Sequence, residues 1–434
     1  MNNPITPQFL AECRQRWQKD VQGRQTANAM VKNGPLLVAM DLEIPRRLPF
    51  SFSVDVWDEG VTDQGESLRC WAFASLNIVR QNVKRALNLA EANFELSQNF
   101  IYFYDQLEKS ADFLNDMMEL AELPLNNPNI QNRLRRPIMD NGQWFIFAKL
   151  ADKYGVVPKF VMPDTQCSPD TKYVTRILGD KLRLGAKLLR EAEPEAREQI
   201  RRQELAEIYG ILCRFLGHPP ETFDFSFRTA EGQYRRLTGL TPLEFFRQYG
   251  GVDVSRHMTI IHHPLPERPY GKVYTANQDG ADDGTKRLNL DISTIKKLVI
   301  AQLQGGDQVV MGCDVAKQSH KPTGYMHKDL LDYETAFGAR LTMPKADRIR
   351  YKGTAGTHIM TFSGVELDET GAPLRWKVHN SYGPQMGIQG HYVMDDSWFD
   401  EYVLSVVIDK QYAPPEVVAA YEAAPEKMNP GELY

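Results

Sequence analysis

Cys70 is the residue whose type and surroundings point most directly to chemistry. It begins a stretch with helical periodicity, CWAFASLNIVR, that follows turn-forming and acidic residues. A cysteine in the first turn of a helix lies near the positive end of the helix dipole and near unpaired backbone N–H groups, and both favour the nucleophilic thiolate. Gln64, six residues earlier, could bring a side-chain amide to the same place. Because free cysteines are usually small buried apolar residues, the interpretation of Cys70 depends on its partners.

His358 and Asn380 are the candidate partners of that thiol. A thiol nucleophile needs a base within hydrogen-bond reach, and the base needs a third group to hold its ring. Among nine histidines, His358 opens a predicted strand, GTHIMTF, and Asn380 ends the next predicted strand, WKVHNSYG. The turn-forming DETGAP between them would bring the strands side by side, so the amide oxygen of Asn380 could orient the imidazole. A lone histidine at a strand end is usually structural, and Asn380 favours the catalytic interpretation.

Helices are predicted to dominate the first half of the chain. The N-terminus is predicted to form an amphipathic helix whose Phe9, Leu10 and Cys13 face a core, followed by extended, proline-broken chain from Leu36 to Val56. Periodicity and caps predict helices over residues 94–121 with Ser97 as cap, over 143–153, and over 241–250 with Thr241 as cap. Residues 168–217 are predicted to form a helical hairpin that projects from the main body.

Strands are predicted to dominate after residue 252. VSRHMTIIHHPL, KVYTANQ, QVVMGCDV and the two segments that carry His358 and Asn380 are rich in β-branched residues and bounded by turn formers. A last strand covers Val403 to Ile408. Helices followed by an antiparallel sheet indicate an α+β fold.

The composition is that of an ordinary globular protein. With 42% apolar and 25% charged residues, the 434-residue chain can hold two or three domains' worth of core, or one domain with large insertions. No apolar run approaches the roughly 18–20 residues that cross a bilayer. The N-terminus lacks the charged-then-apolar order of a secretory signal. These features predict neither disorder nor membrane insertion.

The cysteines and the charges exclude further classes of site. The five cysteines, at positions 13, 70, 167, 213 and 313, include no C-x-x-C pair. The sequence therefore suggests no zinc site, disulfide framework or cofactor, and a reducing cytoplasm fits best. A net charge of −5 gives no electrostatic reason to expect nucleic acid. Glutamates at 191, 193, 195 and 198 interrupt the basic stretch 172–202, which indicates a solvated helical surface rather than a DNA site.

Three segments resemble the active-site segments of papain-like cysteine peptidases. QGESLRCWAF is similar to the nucleophile segment, with the same six-residue spacing from Gln to Cys, and GTHIMTFSGV and HNSYG are similar to the His and Asn segments. The spacing from Cys70 to His358 is about double the roughly 130–150 residues of papain itself. Together with YGVVPK, VVMGCDVAK and WFDEYV, this layout resembles the bleomycin hydrolase and bacterial aminopeptidase C family over residues 5 to 425.

The resemblance implies a papain-like fold with a large helical insertion. The implied segments are 1–167, with the helical half and the nucleophile helix; 168–251, the helical insertion; 252–412, the β-rich half with the His and Asn; and 413–434, the C-terminal arm. It also implies that Cys70 is the nucleophile, His358 the general base and acid, and Asn380 its orienting partner. Gln64 and the Cys70 backbone N–H would form the oxyanion hole.

The resemblance further implies a cytoplasmic aminopeptidase that acts on peptides, with no metal, no cofactor and no membrane partner. Such enzymes are usually ring-shaped homohexamers with inward-facing active sites. In this family the chain's own C-terminal carboxylate blocks the cleft on one side and pairs with the free α-amine of the peptide. Here that carboxylate would belong to Tyr434.

Three departures from the family pattern bear on specificity. Leu68 replaces a Gly two residues before the cysteine, where its side chain could narrow the pocket for the residue before the scissile bond, or shift the loop if that Gly has positive φ. Tyr382 replaces a Trp that shields the His–Asn pair. The tail EKMNPGELY is acidic and aromatic rather than small and apolar. We expect activity to be retained with a preference for small first residues.

Other functions remain open on the sequence alone. A different thiol hydrolase, such as a deamidase or an acyl-transferring enzyme, could use the same Cys–His pair. A catalytically dead oligomeric binding protein could keep the fold, although it would not need all four of Cys70, His358, Asn380 and Gln64.

Overall fold

The computed structural model describes residues 5–56, 60–278, 281–282, 284–428 and 433. The helices are α1 (Pro7–Lys19), α2 (Val21–Asn33), α3 (Pro35–Ala39), α4 (Glu43–Arg46), α5 (Cys70–Leu87), α6 (Gln98–Glu119), α7 (Pro128–Arg135), α8 (Trp144–Tyr154), α9 (Lys172–Glu191), α10 (Pro194–Leu216), α11 (Pro242–Phe245), α12 (Ile292–Gln304), α13 (Tyr333–Phe337), α14 (Lys345–Arg350), α15 (Asp396–Tyr402) and α16 (Pro415–Glu422). The strands are β1 (Val54–Asp55), β2 (Phe223–Arg228), β3 (Tyr234–Leu240), β4 (His257–Ile261), β5 (Lys272–Thr275), β6 (Asn277–Gln278), β7 (Ala281–Asp282), β8 (Arg287–Asn289), β9 (Val309–Cys313), β10 (Ser319–His320), β11 (Tyr325–Met326), β12 (His358–Leu367), β13 (Pro373–His379), β14 (His391–Asp395), β15 (Val403–Asp409) and β16 (Glu426–Lys427).

One large, mostly antiparallel sheet carries the second half of the chain. Its strand order is β10-β11-β14-β13-β12-β9-β15-β4-β8-β5-β16, with β1 added beside β12. The pairs β4–β8, β5–β16 and β11–β14 are parallel. The strand that begins at His358 therefore lies inside the sheet, with β13 on one side and β9 on the other.

Each face of the sheet packs against its own hydrophobic core. Helices α5, α6, α8, α9 and α10 share one core, which reaches the sheet at Val310 and Val407. The opposite face packs against α12, α15 and α16 around Trp376 and Phe399. Helix α5 is buried on almost every side because it lies between the helical core and β12, where Thr361 Oγ1 donates to the Ala74 carbonyl at 3.4 Å. This is the α+β arrangement that the sequence predicted.

Several predicted elements are confirmed with their caps. Helix α6 begins after Ser97, whose side chain accepts the Phe100 N–H, and α8 ends at Gly155. Thr241 caps α11 with a complete capping box formed with Glu244. The strands predicted around His358, around Asn380 and at the end of the chain are β12, β13 and β15.

Two predictions about the N-terminal region are wrong. Helix α1 buries none of its residues, and Phe9 and Leu10 are 48% and 40% exposed, so its apolar side does not face the core of its own chain. An amphipathic pattern predicts that a face is covered but does not say by what. The stretch predicted as extended chain contains α3 and α4, because Pro35 stands in the first turn of a helix, where proline is well tolerated.

The helical hairpin of α9 and α10 does not project from the body. Leu178, Leu182, Ile208 and Leu212 are fully buried in the same core as α5 and α6. The predicted insertion, residues 168–251, also contains a β-hairpin, β2–β3, that was not predicted from the sequence. The division of the chain into four segments remains a prediction.

The described residues include neither a candidate membrane span nor a candidate metal site. Within the described ranges, no helix is long and apolar enough to cross a membrane. In the same part of the chain, no group of three or more His, Cys, Asp or Glu side chains could hold a metal ion.

Candidate active site

Cys70 is the first residue of α5, where the helical core meets the sheet. The backbone N–H of Ile359, the residue after His358, interacts with the Cys70 thiol, as do the backbone N–H groups of Cys70 and Trp71. The packing of α5 against β12 thus brings the helix start to the strand start. The thiol lies beside the candidate base although 288 residues separate Cys70 from His358 in sequence.

His358 and Asn380 are hydrogen-bonded partners. His358 Nε2 lies 2.8 Å from Asn380 Oδ1, and both side chains are buried. The same Oδ1 accepts the backbone N–H of Ser381 at 2.8 Å, which identifies that amide atom as the oxygen, because a backbone N–H can only donate. Since the amide oxygen only accepts, Nε2 carries the proton in the neutral imidazole. Nδ1 is then the acceptor, and the Tyr382 hydroxyl lies 3.5 Å from it.

Tyr382 covers one face of this imidazole. The two rings are stacked, with centroids 4.8 Å apart and an angle of 11° between their planes. Tyr382 is held in place because the loop before α5 and the loop after β13 pair: Asp63 bridges Tyr382, and the Gly383 N–H donates to the Thr62 carbonyl at 3.0 Å. The tyrosine therefore occupies the shielding position for which the sequence analysis expected an aromatic ring.

Gln64 belongs to the same paired loops. Its backbone N–H donates to the Ser381 carbonyl at 2.9 Å, and its side-chain Oε1 accepts the Ser381 hydroxyl at 2.7 Å. Its Nε2 donates to the Ser67 carbonyl at 2.6 Å. An amide nitrogen has two hydrogens, so one donor remains after the bond to Ser67. Gln64 is thus a fixed, buried donor within the segment that leads to Cys70.

Burial sets the charge state of both candidate reacting groups. Burial raises the pKa of the Cys70 thiol to about 11, although the nearby backbone N–H groups lower it. Burial also lowers the pKa of His358 to about 4. The positive charge of Lys321 lowers this pKa as well, whereas the hydrogen bond to Asn380 raises it. This differs from the expectation that the helix start makes Cys70 a thiolate on its own. Each charge is disfavoured singly, and each would be favoured by the opposite charge of the other in a thiolate–imidazolium pair.

Leu68 lies on the surface beside the site. Its side chain is 64% exposed. Leu68 is not one of the described non-glycine residues that have a positive φ. The leucine is therefore compatible with the backbone of this loop, and the possibility of a loop shifted by a disallowed φ falls away. Positive φ is found instead at Gly65 (φ 60°), where a Cβ would lie 2.8 Å from the Pro169 carbonyl oxygen.

Leu433 locates the end of the C-terminal arm. The arm joins the sheet as β16, parallel to β5, and Leu433 packs with Ile261, Tyr274 and Met428. Tyr434, for which a cleft-blocking carboxylate was predicted, lies outside the described residues.

A series of paired residues on adjacent strands shows that Ile261 and the candidate site lie on the same face of the sheet. Ile261 lies opposite Ser405, Ser405 opposite Gly312, and Gly312 opposite Ile359. Directly opposed residues of antiparallel strands have side chains on the same face. Ile261 therefore points to the same face as Ile359, three strands away, or about 14 Å at the usual spacing between strands.

Two residues that support the site were not found from the sequence. Ser381 holds Gln64 through its hydroxyl, and its only sequence signal is its position directly after Asn380. Arg69 is 1% exposed and anchors the loop before Cys70, donating to Ser67 Oγ at 3.1 Å and to the Ser168 carbonyl at 2.6 Å. No local pattern predicts that an arginine will be buried.

Comparisons with known proteins identify the family of this chain. A family model for the Peptidase C1-like family matches residues 4–432. The chain belongs to this family. It is a cysteine peptidase with a papain-like α+β fold, and the resemblance stated from its sequence is confirmed.

Individual relatives span almost the whole chain. The Aminopeptidase C of Lactococcus lactis subsp. cremoris is 35% identical over 433 residues, 98% of each protein. The Aminopeptidase C of Streptococcus thermophilus is 35% identical over 411 residues, covering 93% of this chain and 92% of the relative. The crystal structure of PepW from Lactobacillus rhamnosis HN001 superposes with a TM-score of 0.91 at 35% identity, over 97% of this chain and 95% of that chain.

Proposed function

We propose that this protein is a cysteine aminopeptidase in which Cys70 is the nucleophile, His358 the general base and acid, and Asn380 the residue that orients His358. The observation that carries the proposal is the 2.8 Å contact between His358 Nε2 and Asn380 Oδ1. It leaves Nδ1 of a buried imidazole as the acceptor, at the start of the strand whose next residue, Ile359, has an N–H that interacts with the Cys70 thiol. The Tyr382 hydroxyl also lies 3.5 Å from Nδ1. Two aminopeptidases at 35% identity support the reaction class.

The chemical steps follow from these positions. His358 Nδ1 takes the thiol proton as the sulfur attacks the scissile carbonyl, so the two charges form together. The oxyanion that results accepts hydrogen bonds from the Cys70 backbone N–H and from the remaining Nε2 hydrogen of Gln64, each worth about 3 kcal/mol in a preorganised site. The imidazolium then protonates the leaving amine, and water activated by His358 hydrolyses the thioester.

The C-terminal arm accounts for the requirement for a free α-amine. Leu433 packs against Ile261 on the sheet face that also carries Ile359. We assign to the Tyr434 carboxylate the role of blocking the cleft and pairing with the substrate ammonium. Leu68, exposed beside the nucleophile, narrows the pocket for the first residue of the substrate.

A homo-oligomer, a hexamer by resemblance to the family, and a cytoplasmic location complete the proposal. Helices α1 and α2 bury none of their residues within the chain, yet they carry Phe9, Trp17 and Val21 with about half or more of each side chain exposed. Contact with another copy of the chain would bury these apolar side chains and remove them from water. Peptides are the proposed substrates, and no cofactor, membrane or nucleic acid is part of the proposal.

A thiol-reactive epoxide tests the proposed nucleophile. We expect the native protein to be labelled once, on Cys70, and to lose its hydrolysis of aminoacyl fluorogenic substrates. The Cys70→Ala form should be neither labelled nor active, while Cys313→Ala serves as a matched control at another buried cysteine near the site. Labelling without any peptide hydrolysis would favour a different thiol hydrolase, and the absence of both would favour a binding protein.

A further inference from the structure

Lys321 contacts the same Tyr382 ring that stacks on His358. Its Nζ lies 3.8 Å from the centroid of the Tyr382 ring, whose other partner is the stacked imidazole of His358. The ammonium is therefore within about 9 Å of the imidazole centroid, a distance that two or three extended residues span at roughly 3.3–3.6 Å each. The positive charge of Lys321 acts on the site, because it lowers the pKa of His358.

The backbone that carries Lys321 is held by several hydrogen bonds. Lys321 follows β10 in a tight turn, closed by the Gly324 N–H to the His320 carbonyl at 2.8 Å. The Tyr392 hydroxyl donates to the Lys321 carbonyl at 3.0 Å. The Gly387 N–H donates to the Pro322 carbonyl at 3.1 Å. A fixed backbone holds the exposed side chain of Lys321 in position to recognise a ligand.

The ammonium of Lys321 is available for an anion. Among the described residues, no carboxylate lies within ion-pair distance of its Nζ, although the chain places many other lysines in such pairs. Glu66 is close enough to raise the pKa of Tyr382, but it forms no ion pair with Lys321. The cation–π contact with Tyr382 holds the ammonium without neutralising it.

Sheet order places Lys321 on the leaving-group side. Starting from β12, the strands β13, β14, β11 and β10 run to one side and end at Lys321. The strands β9, β15, β4, β8, β5 and β16 run to the other side and end at the C-terminal arm. A peptide whose α-amine points to the arm therefore extends past His358 towards Lys321.

We propose that Lys321 is a specificity-determining residue that binds a carboxylate on the leaving group. This inference rests on the proposed function, because it takes the substrate to be a peptide with its α-amine at the arm. The carboxylate can be the C-terminal carboxylate of a dipeptide or the side chain of an acidic second residue. In both cases it pairs with the ammonium above Tyr382 while the leaving amine is protonated by His358.

Two pairs of substrates separate the two sources of carboxylate. Alanyl-alanine is compared with alanyl-alanine amide, and alanyl-glutamyl-glycine amide with alanyl-glutaminyl-glycine amide. For each pair we expect the kcat/KM ratio of charged to neutral substrate to fall about threefold to fivefold in Lys321→Gln, the size of a partly exposed ion pair. Lys321→Arg should keep the native ratio, Lys321→Glu should lower it further, and added salt should reduce the native preference.

Lys328→Gln is the matched control, since Lys328 is an exposed lysine in the same region that pairs with Asp329. Unchanged ratios in Lys321→Gln for both pairs, or an equal shift in Lys328→Gln, would overturn the assignment of Lys321 while the amide substrates still report an active aminopeptidase. A native protein that cleaves neither amide would instead overturn the proposed function, and with it this inference. A fall in only one pair identifies which carboxylate Lys321 binds.

Discussion

The ring of Tyr382 lies flat on the imidazole of His358, 4.8 Å away and 11° from parallel. This stack lies directly beside the candidate base, and together with burial by the sheet it keeps water from His358. A Trp would form the same stack, so the tyrosine at this position preserves the shielding that the site needs.

Removing the stacked ring should change the pH dependence of the reaction. Burial lowers the pKa of His358 to about 4, so opening one face to water in Tyr382→Ala should raise this pKa towards its ordinary value. The acidic limb of the kcat/KM profile should then move to higher pH, with about a tenfold loss at its maximum. Tyr382→Trp is the control and should keep the native profile. An acidic limb that stays in place in Tyr382→Ala would show that the ring does not shield His358.

Gln64 and Ser381 should act as one unit in stabilising the oxyanion. Gln64→Ala removes the proposed donor, and we expect kcat to fall about a hundredfold to a thousandfold. Ser381→Ala removes the hydroxyl that holds Gln64 Oε1 at 2.7 Å, and a smaller loss of about threefold to tenfold is expected.

The double variant distinguishes this coupling from two separate effects. Because Ser381 acts through Gln64, the double variant should be no slower than Gln64→Ala alone. Losses that multiply would indicate that Ser381 acts by another route. Thermal unfolding of all three variants controls for a general loss of stability.

Leu68 should restrict the first residue of the substrate. Its side chain is exposed beside the nucleophile, so it can contact the substrate without strain in its own backbone. In Leu68→Gly we expect kcat/KM to rise for aminoacyl substrates with large first residues, relative to alanyl substrates. Equal selectivity in the native and Leu68→Gly forms would rule out this role.

Truncation of the C-terminal arm should alter the mode of cleavage. Deleting residues 430–434 removes the proposed carboxylate, so peptides with an acetylated N-terminus should become substrates and internal cleavage should appear. Leu433→Asp tests the position of the arm separately from its length, because it disturbs the packing on Ile261 without shortening the chain. A truncated form that still needs a free α-amine would exclude the arm as the source of this requirement.

The sequence predicted the parts of the site that leave a local signal. A cysteine at a helix start, a histidine at a strand start and an asparagine one hairpin later can each be recognised within about ten residues. The fold class followed from the change in hydrophobic periodicity near residue 252.

Features that depend on contacts distant in sequence were not predictable in the same way. The bond between Ser381 and Gln64 joins residues 317 apart, and the burial of Arg69 depends on Ser168. Burial also reversed the expected effect on the thiol, because desolvation of Cys70 outweighs the backbone N–H groups of the helix start. The apolar face of α1 was mispredicted for the same reason, because an amphipathic pattern does not say which part of the structure covers the face.

Capture of an acyl-enzyme on Cys70 tests the central claim most directly. An alanyl ester substrate makes hydrolysis of the thioester the slow step, so the intermediate should accumulate before an acid quench. Digestion and mass spectrometry should find one alanyl group on the peptide that contains Cys70, and none in His358→Ala. An alanyl group on a different residue, or turnover by Cys70→Ala, would contradict the account.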